Sequence, residues 1–166
     1  EVFSRMGMHI SSVVPGKTVL SYIITGELLP LVNFFCVIDL DLIADAKIIP
    51  QVVNKLINEL KIHDALESTL SLLRKINRYL EVKAPWKSIK ENPLPAGSAA
   101  TTLALSADVL RIGSQLLNPV MPEKTKAILS ILGAKHIPLN DTKLGLLKVG
   151  SILGKGKSPF PRIQTK

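Results

Sequence analysis

Apolar or small residues at Ile62, Ala65, Leu66, Thr69, Leu70, Leu73, Ile76 and Leu80 recur with a 3.6-residue period. A chain patterned this way can bury one continuous stripe only as a helix, here of about five turns. The opposite face carries Asp64, Glu67, Ser71, Arg74, Lys75, Arg78 and Glu81. Pro85 disfavours helical geometry at Ala84, so the helix is predicted to end near Lys83, with Trp86 projecting from an extended turn at a rigid corner. Between residues 71 and 90 stand six basic side chains (Arg74, Lys75, Arg78, Lys83, Lys87, Lys90) against one acid, Glu81. A lone indole in a cationic patch suits an unstacked base, whose face stacks on the ring while the cations hold flanking phosphates. The same residues admit a second reading, in which Trp86 plugs the end of a helix pair and the lysines form a solvated face.

The rest of the composition narrows the architecture. With 166 residues and 46% hydrophobic content the chain can bury a real core as one domain over 1–166. Only 4% is aromatic, so that core is built from Leu, Ile, Val and Ala. Periodic Leu-rich segments separated by short polar links predict an all-α bundle of antiparallel helices. The net charge of +8 calls for a negatively charged partner, either nucleic acid or an anionic membrane surface, and charge alone does not choose. The single cysteine, Cys36, has no internal disulfide partner, which permits a reducing compartment without proving one. Glu1-Val2-Phe3-Ser4-Arg5 begins in mid-pattern, so the chain is read as a fragment of a longer protein.

Three motifs in order carry a resemblance to a known family. Asn77-Arg78-Tyr79, followed by Ala84-Pro85-Trp86-Lys87, resembles the "NxYxxxxAPW" signature of the anticodon-binding domain of methionyl-tRNA synthetase. Leu117-Asn118-Pro119-Val120-Met121-Pro122 is similar to that family's "LLxPxMP", and Phe160-Pro161-Arg162-Ile163 to the "FPRI" that closes the region. Phe3-Ser4-Arg5 is similar to the end of the "NxxSR" in the family's first helix, although Glu1 stands where the family has asparagine. The resemblance implies that Trp86 stacks on or packs beside the first anticodon base, a cytosine, with Pro85 fixing its approach. It further implies that Arg5, Arg78 and Lys87 help hold phosphates or base edges. The implied parent is a cytoplasmic class I ligase that joins methionine to its tRNA with ATP and magnesium. Its "HIGH" and "KMSKS" motifs do not occur in these residues, so this stretch is expected to supply recognition of the methionine anticodon, docked on the catalytic domain of the same chain.

Taken in order, residues 1–14 place Val2, Met6, Ile10 and Val13 or Val14 on one helical face that stops at Pro15-Gly16, with Arg5 at its surface. Gly16-Lys17-Thr18 is no phosphate loop, because Ser11 stands where that loop needs glycine and no strand precedes it. Residues 19–40 are apolar enough to weigh as a membrane span, but Glu27, Pro30 and Asn33 fall in the middle, favouring a buried helix broken at Pro30 and no membrane. Asp39, Asp41 and Asp45 are predicted to surround a helix start, opposing its dipole. Pro50 opens or kinks the helix that follows, with a stripe of Val53, Leu56, Ile57 and Leu60.

Beyond the Glu91–Gly97 loop, a further helix places Leu103, Ala107, Leu110 and Leu117 on one side and Leu105, Val109, Ile112 and Leu116 beside them. Its remaining face carries Asp108, Arg111, Gln115 and Asn118. Pro122 suits the first turn of the next helix and Gly133 the position past its end. From Lys143 to Lys166 there are six basic residues and no acid. This tract is predicted to be a solvated return segment, or else a sequence-blind contact to the RNA backbone.

No catalytic or metal site is expected. His9, His63 and His136 lack neighbours at ligand spacing. The His63-Asp64 pair accompanies no nucleophile motif and reads as surface polarity. Two rival functions stand beside anticodon recognition: a helical interaction module whose basic face docks an acidic partner, and a membrane-associated protein using residues 19–40.

Overall fold

The computed structural model describes residues 37–87, 97–147, 153–154 and 159–160. The expectations for Arg5, the segment up to Gly16, the Gly16-Lys17-Thr18 run, Cys36 and most of the apolar stretch 19–40 fall outside these residues.

Four helices pack in sequence: α1 (Val37–Asn58), α2 (Ile62–Lys83), α3 (Gly97–Leu117) and α4 (Pro122–Ile131), with a short 3-10 turn at Leu139–Asp141. No strand occurs among the described residues. Short links make neighbouring helices antiparallel, as the contacts show. Lys75 and Lys83, late in α2, reach Asp41 and Asp39, early in α1. Leu73 and Tyr79 of α2 meet Gly113 and Thr102 of α3 in reversed order. The aliphatic core lies among α1, α2 and α3, and Leu144 from the returning chain closes it.

The α1 helix runs without interruption through Pro50, so the sequence expectation of a helix opening there is corrected. Proline withdraws one hydrogen bond, but Leu42, Ile43, Ala46 and Val53 on either side are all buried and hold the two halves in one packed face. The three acids lie inside the first turns rather than around them. At its far end α1 closes in a Schellman turn, with Leu60 N–H on Ile57 O and Lys61 N–H on Leu56 O. Leu60 takes the left-handed position at φ 59° and is 85% exposed, so it leaves the stripe assigned to it.

The buried stripe of α2 is Ala65, Thr69, Leu72, Ile76 and Tyr79. It is rotated from the predicted one: Leu72 and Tyr79 enter, while Ile62 and Leu70 are exposed. Helix α2 is flanked by α1 and α3, so the buried arc centres between two neighbours rather than on the row with the most aliphatic carbons. Where α2 and α3 cross, a Cβ on Gly113 would lie 2.6 Å from Leu73 Cδ2, so the absent side chain permits the close approach.

Helix α3 departs furthest from expectation. Leu103 is exposed, whereas Asp108, Arg111 and Gln115, assigned to its polar face, are buried. Arg111 Nε donates to Asp108 Oδ1 at 2.7 Å and its Nη2 to the Lys143 carbonyl at 2.5 Å. Asp108 accepts the backbone N–H groups of Gly145 and Leu147. Gln115 donates to the Lys135 carbonyl at 2.8 Å and accepts the Ile137 N–H at 3.2 Å. Asn118 continues the row, contacting the His136 ring at 2.9 Å and accepting from Thr125 at 3.0 Å. One polar row thus fastens residues 135–147 onto α3, and the start of the predicted solvated tail is instead packed, with Leu144 buried just after buried Thr142. Helix α4 starts on Pro122 and ends in a Schellman turn whose left-handed residue is Gly133 at φ 65°, as the sequence indicates.

Two substitutions check this packing. Leu72→Ala is expected to cost about 2–5 kcal/mol of unfolding free energy in denaturant titration, as buried leucine truncations do, and Leu70→Ala much less; equal losses would restore the stripe read from sequence. Leu60→Gly is expected to raise stability by up to about 1 kcal/mol, since it relieves left-handed strain at an exposed side chain, less the entropy glycine adds to the unfolded chain.

Candidate nucleic-acid interface

The motif-bearing corner follows the last turn of α2. Ala84 adopts φ 40° and ψ 55°, a left-handed conformation, and its N–H bonds to Leu80 O at 2.8 Å. The sequence predicts an extended residue before Pro85; the structure reverses the chain through the left-handed region instead. Proline's fixed φ then suits the first position of a new helical turn, which residues 85–87 enter with Lys87 N–H on Ala84 O at 2.9 Å. Pro85 is buried and Trp86 is 49% exposed. The proline therefore anchors the corner, and half of the indole faces outward from it.

Behind the corner lies a polar network that sequence reasoning missed. Asp39 of α1, buried, accepts the Tyr79 hydroxyl at 2.8 Å and pairs with Lys83 Nζ at 2.9 Å. Tyr79 OH also lies 3.5 Å from Thr102 Oγ1 of α3, and Lys83 Nζ sits 5.9 Å from the Tyr79 ring centroid. The available signal was Tyr79 itself, a hydroxyl-bearing side chain one helical turn before Lys83 and on the same face. Its partner, 40 positions away, carries no sequence mark.

The basic patch divides once partners are assigned. Lys75 bonds Asp41 at 2.7 Å and Asp45 at 2.5 Å. Burial works against its charge, but the hydrogen bonds to Asp41 and Asp45 prevail and hold its pKa above the ordinary lysine value. Arg74 bonds Glu67 at 2.6 Å, which draws that carboxyl below its usual range. Lys83 belongs to Asp39. Arg78 and Lys87 are exposed, and no ion pair engages them among the described residues. The structure therefore places Arg78, Pro85, Trp86 and Lys87 at the end of α2 and the turn after it, while Arg5 falls outside the described residues.

The groove between α1 and α2 fits nucleic acid less well. It measures about 520 Å³ and has Asp45, Asp64 and Glu67 in its lining, and these acids repel phosphate. Among the described residues no cluster of three or more His, Cys, Asp or Glu side chains could hold a metal ion, and no helix is long and apolar enough to cross a membrane. On the far side of α4, Lys124 Nζ lies 5.9 Å from the Phe160 ring centroid, and Gly154 N–H bonds Ile131 O at 2.8 Å. Gly154 and Phe160, the first residue of the closing motif, are thus brought back against α4.

An antiparallel helical bundle with a half-exposed indole and uncommitted cations at one end has the form of a helical RNA-binding domain. A family model described as the anticodon binding domain of methionyl tRNA ligase matches residues 32–164. The chain is 33% identical over 125 residues to a methionine–tRNA ligase of Deinococcus radiodurans, covering 74% of this chain and 18% of that protein. It is 34% identical over 95 residues to a mitochondrial methionine–tRNA ligase of Mus musculus, covering 57% of this chain and 16% of that protein. The fold is similar to the crystal structure of apo Mycobacterium tuberculosis methionyl-tRNA synthetase, with a TM-score of 0.70 and 30% identity over 80% of this chain and 27% of that one. The chain belongs to the family of anticodon-binding domains of methionyl-tRNA ligase. It spans only about a fifth to a quarter of the length of such relatives.

Because half of Trp86 already faces outward, Trp86→Ala is expected to lower unfolding free energy by well under the roughly 3–5 kcal/mol typical of a core tryptophan. A loss of that full size in thermal or denaturant unfolding would make the indole a structural plug.

Proposed function

We propose that this domain reads the methionine anticodon through Trp86, whose indole stacks on or packs beside the first anticodon base, a cytosine. Pro85 sets the approach of the ring, and Arg5, Arg78 and Lys87 hold phosphates or base edges around it. The observation that carries the reading is the half-exposed indole on a corner fixed by buried Pro85, next to a lysine free of acidic partners among the described residues. Lys75 and Lys83 do not belong to the phosphate-holding set, because carboxylates already occupy their ammonium groups.

The chemistry belongs to the parent protein of the same proposal, a methionine–tRNA ligase of class I whose catalytic domain binds ATP with magnesium and docks on this bundle. Residues 1–166 then form one helical domain of that enzyme, and its proposed setting is the cytoplasm. Relatives named as mitochondrial and as chloroplastic/mitochondrial enzymes belong to the same family.

The test compares tRNAs that differ only in the anticodon. Trp86→Ala is expected to weaken discrimination for the methionine anticodon by about 1–3 kcal/mol, the usual worth of a base–aromatic stack. Lys87→Ala is expected to weaken all tRNAs alike and to reduce the salt dependence by about one phosphate contact. Unaltered anticodon preference in folded Trp86→Ala protein would defeat the reading, and a docked acidic protein would then account better for the basic face.

A further inference from the structure

The Asp39 network ties the last turn before the reading corner to α1, through Tyr79, the last residue of the buried stripe of α2, and through Lys83. Lys83 is the final residue of α2 and is bonded directly to Ala84, the left-handed pivot. Its ammonium, partly buried, reaches both carboxylate oxygens of Asp39, at 2.9 Å and 3.0 Å. The Tyr79 hydroxyl, one turn back, bonds the same carboxylate. Two side chains of the last turn of α2 thus converge on a single buried group of α1. Three donors on a flexible stem lose their freedom when held this way, and so does the backbone that carries them.

A buried ion pair is poor evidence of stability, since two aliphatic side chains of similar volume often do as well. What such a pair provides is a defined position, because any displacement leaves a charge without its partner. Here the position concerns the pivot of the motif. A left-handed alanine is strained on its own, and it persists only where the surroundings over-determine it.

We propose that Asp39, acting through Tyr79 and Lys83, is a positioning residue for anticodon reading: it fixes the end of α2 so that Ala84 holds the reversed conformation and Trp86 meets the base in a set orientation. The network makes specificity at the corner depend on α1, more than 40 positions earlier in the chain, without Asp39 touching RNA. The inference rests on the reading of Trp86 proposed above.

The experiment keeps the two apart by comparing four variants of the chain on tRNAs that differ only in the anticodon. Trp86→Ala tests the reading. Asp39→Asn keeps an acceptor for Tyr79 but removes the charge that holds Lys83, and Tyr79→Phe removes only the hydroxyl, keeping the ring should the first variant fold poorly. Val53→Ala, in the core on the distant half of α1, controls for stability loss. Trp86 is the single tryptophan, so its fluorescence reports the corner directly. Asp39→Asn and Tyr79→Phe are expected to raise acrylamide quenching of Trp86 and to lower anticodon discrimination about tenfold, within the range of losing one base–aromatic stack. Val53→Ala is expected to lower the melting temperature without either change. If Trp86→Ala loses discrimination while Asp39→Asn and Tyr79→Phe keep it, the reading stands and the positioning role is overturned. Discrimination that falls equally in Val53→Ala overturns it as well, by reducing the effect to stability. Unchanged discrimination in Trp86→Ala removes the reading, and the inference with it.

Discussion

Helix α3 is enclosed on all sides over its second half, and the need to satisfy its polar side chains governs how the chain closes. From Arg111 to Leu117 every residue is buried. Buried polar groups without partners are costly, so Asp108, Arg111 and Gln115 must find hydrogen bonds in the interior. Apart from the Arg111–Asp108 pair, they find them in backbone, and backbone partners are available only where chain without regular secondary structure lies alongside. Residues 135–147 supply that chain. Their carbonyl and amide groups would in turn lack partners without α3, so helix and return segment complete each other. Of this group of side-chain atoms only Arg111 Nη1 has no hydrogen-bond partner.

The same logic explains the division of positive charge. A chain with a net charge of +8 could present a uniform cationic face, but α1 brings three carboxylates against α2. These ion pairs neutralise the inner edge of the patch and, among the described residues, leave Arg78 and Lys87 as exposed cations beside the corner. Phosphate affinity scales with the number of cations free to release counterions, so the residues that remain unpaired matter more than the total. The aromatic content points the same way: the described core is built mainly from Leu, Ile, Val and Ala with Tyr79, and the single tryptophan stands half outside it.

Much of this domain was legible in the sequence. The 3.6-residue period of residues 62–80 announces α2, Pro85 its end, and Pro122 and Gly133 the bounds of α4, because local sterics act within a few residues and need no partner. The motif Ala84-Pro85-Trp86 with its flanking residues identified the family, the periodic segments indicated an all-helical chain, and the net charge called for a negatively charged partner without choosing between nucleic acid and a membrane surface. Other features were not legible. The buried stripe of α2 turned toward Leu72 and Tyr79, the polar row of α3 went inside, and Asp39 left the surface for the interior.

Each of these was decided by which neighbour a helix face meets, and periodicity records only that a face exists. An acid four residues from another acid looks the same whether it faces water or a lysine 30 positions away. The conformation of Ala84 belongs to the same class, since proline restricts the residue before it without choosing which permitted region that residue takes. The sequence by itself determined that α2 and α4 are helices, where they end and which side-chain types stand at the corner, because those follow from backbone sterics and side-chain type. Tertiary structure alone decided which charges stay free, which polar groups are buried and how the indole is held, because burial and pairing are properties of two segments at once.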